Sequence, residues 1–197
     1  MNYGDYAYIE AFPRGMFQFM PDPNVARRAQ IFEVWLRPFR TPEDGHMALR
    51  IAIHEIDKLV KDGLGKGDFE RTRNYLVKNV FLMTSRQDQQ IGYALDSKWY
   101  GIPEYTSYMR DQLKKLTLAD ANRAIRTYLQ TKDVSIVIIT KDAKALRGRL
   151  LSDQPSAVKY DAPKPQLAAE DKLIGAMKLG ITADAVQITA VDEVFAR

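Results

Sequence analysis

The sequence lacks the residues on which several common kinds of site depend. It contains no cysteine and only two histidines, His46 and His54. The absence of cysteine excludes disulfide bonds, thiolate metal ligands and a cysteine nucleophile. On a helix, the two histidines would lie roughly 12 Å apart along the axis, which is too far for them to share one metal ion. We therefore expect no metal site in this chain.

Long apolar runs are also missing. The longest, from Val134 to Ile139, is interrupted by Ser135 and is far shorter than the roughly 20 residues of a membrane-spanning helix. The first residues contain neither a basic n-region nor an apolar h-region, so we expect no secretory signal in this chain. These absences do not indicate the cellular compartment of the protein.

The composition predicts a folded globular chain, since 46% of its 197 residues are apolar and 10% are aromatic. The 29 basic and 25 acidic residues give a net charge of +4. Basic and acidic residues alternate, as in residues 70–73, and no RNA-binding signature is present. A solvated surface of mixed charge is therefore favoured over a nucleic-acid interface.

The order of the periodic segments predicts an α+β fold. Strands are predicted near residues 6–12 and 30–36, and we expect them to pair antiparallel. A third strand, at residues 134–140, is apolar enough to be buried on both faces. Because an antiparallel sheet with a helical layer on one face normally has at least four strands, we expect that one or more elements are missing.

Helices are predicted between the second and third strands and after the third. The signals are caps at Thr41, Asp68 and Thr117, and a terminating glycine at Gly63. The predicted helices cover residues 42–62, 68–81, 88–100, 104–113, 117–129 and 142–151. We expect residues 1–151 to form the α+β domain. Residues 152–197, which contain three prolines, would form an extension that packs on it or trails from it.

Three motifs suggest chemistry but fit a structural role better. His54 and Glu55 resemble part of a zinc motif, yet no second histidine lies at i+3 or i+4. A pair formed by His54 and Asp57 would be a weak, two-ligand site, so a surface histidine is favoured. The glycine-rich residues 63–67 join two predicted helices, whereas a phosphate loop follows a strand. A helix-terminating turn is therefore the better interpretation.

The tyrosine-rich segment at residues 2–8 allows two interpretations, amphipathic packing of a strand or a tyrosine hydroxyl that hydrogen-bonds a substrate oxygen. Together with other segments, it resembles the C-terminal domain of bacterial insulinase-like zinc peptidases, the family of pitrilysin and the mitochondrial processing peptidase. The segments that carry the resemblance are NYGDYAYIEAF, IFEVWLRP, DKLV, DQQIGYALD, WYG and VDEVF.

The resemblance implies a LuxS/MPP-like metallohydrolase domain that works with a homologous companion. The companion, in the same polypeptide or in a partner subunit, would carry the zinc on an H-x-x-E-H motif, which this sequence lacks. The zinc-free domain would close over the peptide substrate and offer an arginine and, seven residues later, a tyrosine. That tyrosine would be Tyr3, and its arginine would precede Met1, so the resemblance implies an N-terminally truncated domain.

The sequence therefore predicts a zinc-free peptidase domain that encloses peptide substrate and is inactive alone, with zinc only in the companion. The alternative is an inactive structural or interaction domain of the same family. Relatives often carry an export signal upstream, which favours a periplasmic parent, although a cytoplasmic one is compatible with the sequence.

Overall fold

The computed structural model of the protein describes residues 6–11, 23–24, 30–36, 39–158, 160 and 162–194. Most of the secondary structure in these ranges is helical. The strands are β1 (Tyr6–Ala11) and β2 (Gln30–Trp35). The helices are α1 (Pro42–Asp62), α2 (Lys66–Met83), α3 (Gln87–Tyr100), α4 (Tyr105–Lys115), α5 (Leu118–Tyr128), α6 (Ala143–Ser152), α7 (Ala168–Ala176) and the single turn α8 (Val191–Val194).

The predicted α+β fold, a LuxS/MPP-like antiparallel sheet covered by helices, is wrong. Over the described ranges, strand pairing is confined to one two-stranded ladder, in which β1 and β2 run antiparallel with Tyr6 opposite Trp35 and Ala11 opposite Gln30. Two short strands cannot form the wide apolar platform on which a layer of helices packs. The structure is mainly a helical assembly.

Residues 134–140 account for much of this difference. The segment was predicted to be a strand buried on both faces, but it belongs to no strand among the described residues. Val137 and Ile139 are 89% and 88% exposed. The apolar pattern predicted an extended backbone, but a strand also needs a hydrogen-bonding neighbour, and the pattern carries no information about one.

Helix ends marked by local signals were predicted well. Thr41 Oγ1 accepts a hydrogen bond from the backbone N–H of Asp44 (3.1 Å), and α1 is followed by Gly63 at φ +76°. Thr117 and Asp120 form a reciprocal capping box at the start of α5. The predicted start of the second helix at Asp68 is wrong, since α2 begins at Lys66 with Gly65 before it.

The turn between α1 and α2 is held by a side-chain amide. Asn122 on α5 accepts a hydrogen bond from the Leu64 N–H through Oδ1 (2.7 Å) and donates one from Nδ2 to the Leu64 carbonyl (3.3 Å). These contacts satisfy both backbone polar groups of Leu64 within a helix-to-helix connection. They support the interpretation of residues 63–67 as a structural turn.

The chain divides into two compact units. One combines Leu36–Asp57 with Thr131–Arg197, so that the first part of α1 belongs with α6, α7 and the C-terminal extension. Its apolar core consists of Leu49, Leu146 and Leu150. The other combines Tyr6–Trp35 with Lys58–Gln130, and its core contains Val80 and the stacked rings of Tyr93 and Tyr105.

Candidate functional site

Tyr3, the residue that the sequence places in a substrate-binding role, lies outside the described residues. Three other arrangements could serve a function. They are a buried polar cluster between α1 and the C-terminal extension, a group of metal-ligating side chains on α1 and α7, and an exposed apolar stripe on α3.

The buried polar cluster is centred on Arg50, whose side chain is fully buried on α1. Its Nη2 donates to Asp153 Oδ1 (2.7 Å). Its Nη1 donates to Ser156 Oγ (2.9 Å) and to the Gly175 carbonyl (2.8 Å). A buried guanidinium is tolerable only when paired and hydrogen-bonded in this way. Arg50 thereby ties α1 to the end of α6, to the loop after it and to α7.

Asp153 is the anionic partner in this cluster. It follows α6 in the left-handed conformation, at φ 47°, and its Oδ2 accepts hydrogen bonds from the backbone N–H groups of Leu179 (2.9 Å) and Gly180 (3.2 Å). Burial alone would raise the pKa of Asp153. These N–H groups and Arg50 outweigh that effect, so its pKa lies below the ordinary value and the carboxylate stays ionised.

His46 lies one helical turn before Arg50 and is also fully buried. Its Nε2 is 3.2 Å from Asp153 Oδ1. Burial, and then the positive charges of Arg50 and Arg149, lower the pKa of His46 to about 4, although Asp153 acts in the opposite direction. His46 is therefore neutral at physiological pH.

The residue types in this cluster resemble a catalytic triad, but the arrangement does not support catalysis. The Ser156 hydroxyl oxygen accepts hydrogen bonds from both Arg50 and Arg149, at 2.9 and 2.8 Å, and Ser156 is buried. Those bonds occupy the lone pairs that a nucleophile would use. An imidazole with a pKa of about 4 is also a weak general base. The cluster holds the extension in place.

The possible metal ligands are His54, Glu55 and Glu170, which each offer one ligand atom within 4.8 Å of the others. His54 Nε2 and Glu170 Oε1 are 3.9 Å apart. In a filled tetrahedral zinc site, ligand atoms about 2 Å from the metal lie roughly 3.3 Å from one another. The three side chains would have to move inward to bind an ion, and both glutamates are exposed.

The sequence predicted some features of the buried polar cluster and of the possible metal ligands, and it missed others. His54 was expected to be a surface residue, and its side chain is 23% exposed and lies beside Glu170. Asp57, the partner considered for it, instead accepts a hydrogen bond from the Thr131 hydroxyl. No local pattern could identify Glu170 or Asp153 as a partner of α1, because each lies more than 100 residues away in sequence from the residue it contacts.

The exposed apolar stripe on α3 consists of Ile91, Leu95 and Trp99, which are 59%, 50% and 83% exposed. They follow one another at intervals of four residues and so lie on one side of the helix. The opposite side is buried through Tyr93 and Ser97, and Gly92, beside the stripe, is buried as well. Gly92 is needed there because a Cβ would lie 2.7 Å from Pro23. The helix is thus fixed with its apolar stripe outward.

Comparison with protein-family models, with curated proteins and with solved structures found no match. No helix in the described ranges is both long and apolar enough to cross a membrane. The interpretation of the chain therefore depends on its residues and on the contacts described above.

Proposed function

We propose that this chain is the zinc-free C-terminal domain of an insulinase-like metallopeptidase and helps to enclose peptide substrate while a separate H-x-x-E-H domain hydrolyses it. The observation that carries the proposal is the α3 stripe. Two of the sequence segments on which the resemblance depends, DQQIGYALD and WYG, lie in α3 or directly follow it. They supply Ile91, Leu95 and Trp99, an apolar surface suited to an apolar partner.

In this proposal the companion domain supplies the zinc, and this chain supplies apolar contacts and the Tyr3 hydroxyl. Zinc lowers the pKa of a bound water and polarises the scissile carbonyl. A hydroxyl from the opposite wall would donate a hydrogen bond to the oxyanion, and one such donor contributes roughly 3–4 kcal/mol to transition-state stabilisation. Closure of the two domains would bring these groups together and exclude water.

A second candidate, an inactive interaction domain of the same family, is favoured by the buried cluster. His46, Arg50 and Asp153 are titratable groups of the kind that catalysis uses, yet their contacts fasten one segment of the chain to another. An arginine seven residues before Tyr3 in the parent gene would favour the peptidase role, and its replacement would favour the inactive one.

The test combines the chain with the zinc-bearing domain and measures cleavage of a quenched fluorescent peptide. We expect hydrolysis only with both parts present. Leu95→Asp and Trp99→Ala should weaken association, whereas Tyr128→Ala, at an 80% exposed aromatic residue on α5, should not. Tyr3→Phe should lower kcat with little change in KM. Full hydrolysis by the zinc domain alone would refute the proposal.

A further inference from the structure

We propose that residues 154–158 and 168–181, here called the latch, detach together from α1 and α6 under mildly acidic conditions, and that protonation of His46 triggers the opening. The other helices stay folded when the latch opens. This inference concerns a conformational switch and is independent of the proposed peptidase role.

Polar contacts from two arginines hold the latch on α1 and α6. Arg50 donates to the carbonyls of Gln154 (3.1 Å) and Gly175 (2.8 Å). Arg149, on α6, donates to the carbonyls of Gln154 (2.9 Å) and Pro155 (2.7 Å). Both ends of the latch are therefore bonded within one small region, and a new charge in that region acts on all of these contacts.

Positive charge is already in excess around His46. The charged groups that face it are Arg50 on its own helix, Arg149 on α6 and Asp153 directly after α6. Lys178, which follows α7, donates to the Asp153 carbonyl. Three positive charges thus accompany one carboxylate. Asp153 Oδ1 lies 3.2 Å from His46 Nε2, but outside hydrogen-bond geometry. A protonated His46 would add a fourth positive charge in a buried place.

The surroundings of His46 offer no compensation for that charge. The residue is fully buried, and neither ring nitrogen has a hydrogen-bond partner among the described residues. The nearby carboxylates of α7 are engaged elsewhere, since Asp171 accepts from the Tyr160 hydroxyl and Glu170 lies beside His54. Protonation is therefore favourable only when the ring reaches water.

The latch can leave without dismantling the core of its own unit. That core consists of side chains from α1 and α6, and Leu179 and Ile181 of the latch pack on it while staying partly buried. Ile174 is the buried apolar residue of α7, at 3% exposure. Segments with few buried apolar contacts open at a lower free energy than the whole chain. Opening would expose an apolar surface of α1 and α6.

The size of the effect follows from the two states of His46. Its pKa is about 4 in the closed chain, and an open latch returns the ring to its ordinary value of 6.5. The open form therefore binds a proton more readily, and its population rises as the pH falls from 6.5 towards 4. Between pH 7 and pH 5 the rise should be about twentyfold. Asp153, whose ordinary pKa is 3.8, stays ionised in both forms at pH 5.

Hydrogen exchange of the full-length chain at pH 7 and pH 5 measures the opening, once each rate is corrected for its intrinsic dependence on pH. The amides that report on the latch are those of Ser156, which donates to the Gly175 carbonyl, and of Leu179 and Gly180, which donate to Asp153. Their protection should fall about twentyfold at pH 5. Amides within α2 and α4 should change less than about threefold.

Three variants separate the trigger from a general weakening of the latch. His46→Gln removes the ionisation, so latch protection should hardly change between the two pH values. His54→Gln should keep the twentyfold change. Ser156→Ala removes an acceptor of Arg50 and Arg149 but no titratable group. It should lower latch protection at both pH values and leave their ratio unchanged.

The proposal is overturned if latch protection is the same at both pH values, or if the latch and α2 lose protection together, which would be global unfolding. A His46→Gln variant that keeps the pH dependence overturns it as well. Should that variant fail to fold, the ring signals of the two histidines in labelled wild type are followed by NMR. Protonation of His46 in step with the loss of latch protection supports the proposal, and protonation without that loss overturns it. None of these results measures hydrolysis, so they are separate from the peptidase test.

Discussion

Arg50 and Asp153, which are separated by 103 residues in sequence, form a 2.7 Å ion pair in which the guanidinium is completely buried. The remaining bonds of Arg50 go to Ser156 and to backbone carbonyls of the extension. The pair therefore joins the first described helix to the last third of the chain. The role of the pair is structural, because each buried charge is stabilised by the other.

Removal of one charge from this pair should destabilise the chain strongly. Asp153→Asn leaves the Arg50 charge buried without its anion, and we expect the free energy of unfolding to fall by about 3 kcal/mol. Urea denaturation followed by circular dichroism measures this. Asp111→Asn, in the exposed pair with Lys114, should cost less than about 1 kcal/mol. An equal loss of unfolding free energy in the two variants would show that the buried pair does not stabilise the chain more than an exposed pair does.

Stability should fall with acidification because of His46. Its pKa is about 4 in the folded chain and 6.5 in an unperturbed histidine, so between these values the unfolded chain binds a proton that the folded chain does not. The stabilisation is complete above pH 6.5 and is lost as the pH falls towards 4, up to about 3 kcal/mol. Asp153, whose pKa is also lowered, adds to the loss at still lower pH.

The measurement is urea denaturation of the wild type and of His46→Gln between pH 4.5 and 7. The variant should show a flatter dependence on pH, although it is less stable at pH 7. His54→Gln, at the other histidine, controls for the loss of an imidazole. A wild-type stability that did not change over this range would contradict the burial of a neutral His46.

Close packing between α7 and the loop after α6 predicts opposite effects for two glycines. A Cβ at Gly175 would lie 2.2 Å from the Ser156 carbonyl oxygen, so Gly175→Ala should cost about 1–3 kcal/mol. A Cβ at Gly148, inside α6, would meet nothing within 4 Å, and Gly148→Ala should stabilise the chain by about 1 kcal/mol. Thermal denaturation compares them, and stabilisation by both substitutions would exclude the close approach at Gly175.

The isolated chain should retain no stoichiometric zinc. After treatment with a chelator and dialysis against zinc at equimolar concentration, mass spectrometry should find well below one ion per chain, since His54, Glu55 and Glu170 are too far apart to bind without moving. Retention of one zinc in the wild type and in Glu43→Gln, but not in His54→Ala, would contradict this prediction and locate the ion.

Local sequence signals predicted the helices, but they carry no information about which remote segments contact one another. Caps such as Thr117 with Asp120 involve residues three positions apart, so the sequence itself contains both partners. Whether residues 134–140 pair with another strand depends on segments remote in sequence. The pairing of Arg50 with Asp153 could not be predicted either, because the two residues are far apart in sequence. Neither residue type indicates by itself that it will be buried. Tyr3, outside the described residues, stays a prediction.

The bond pair between Asn122 and Leu64 has a practical consequence for labelling the protein. A tag or fluorophore inserted among residues 63–67 would separate a side-chain amide from the two backbone groups that it satisfies, and would loosen α5 together with the turn. Glycine-rich surface turns usually tolerate insertion. The turn at residues 63–67 is instead held by Asn122, so a reporter group is better placed elsewhere on the chain.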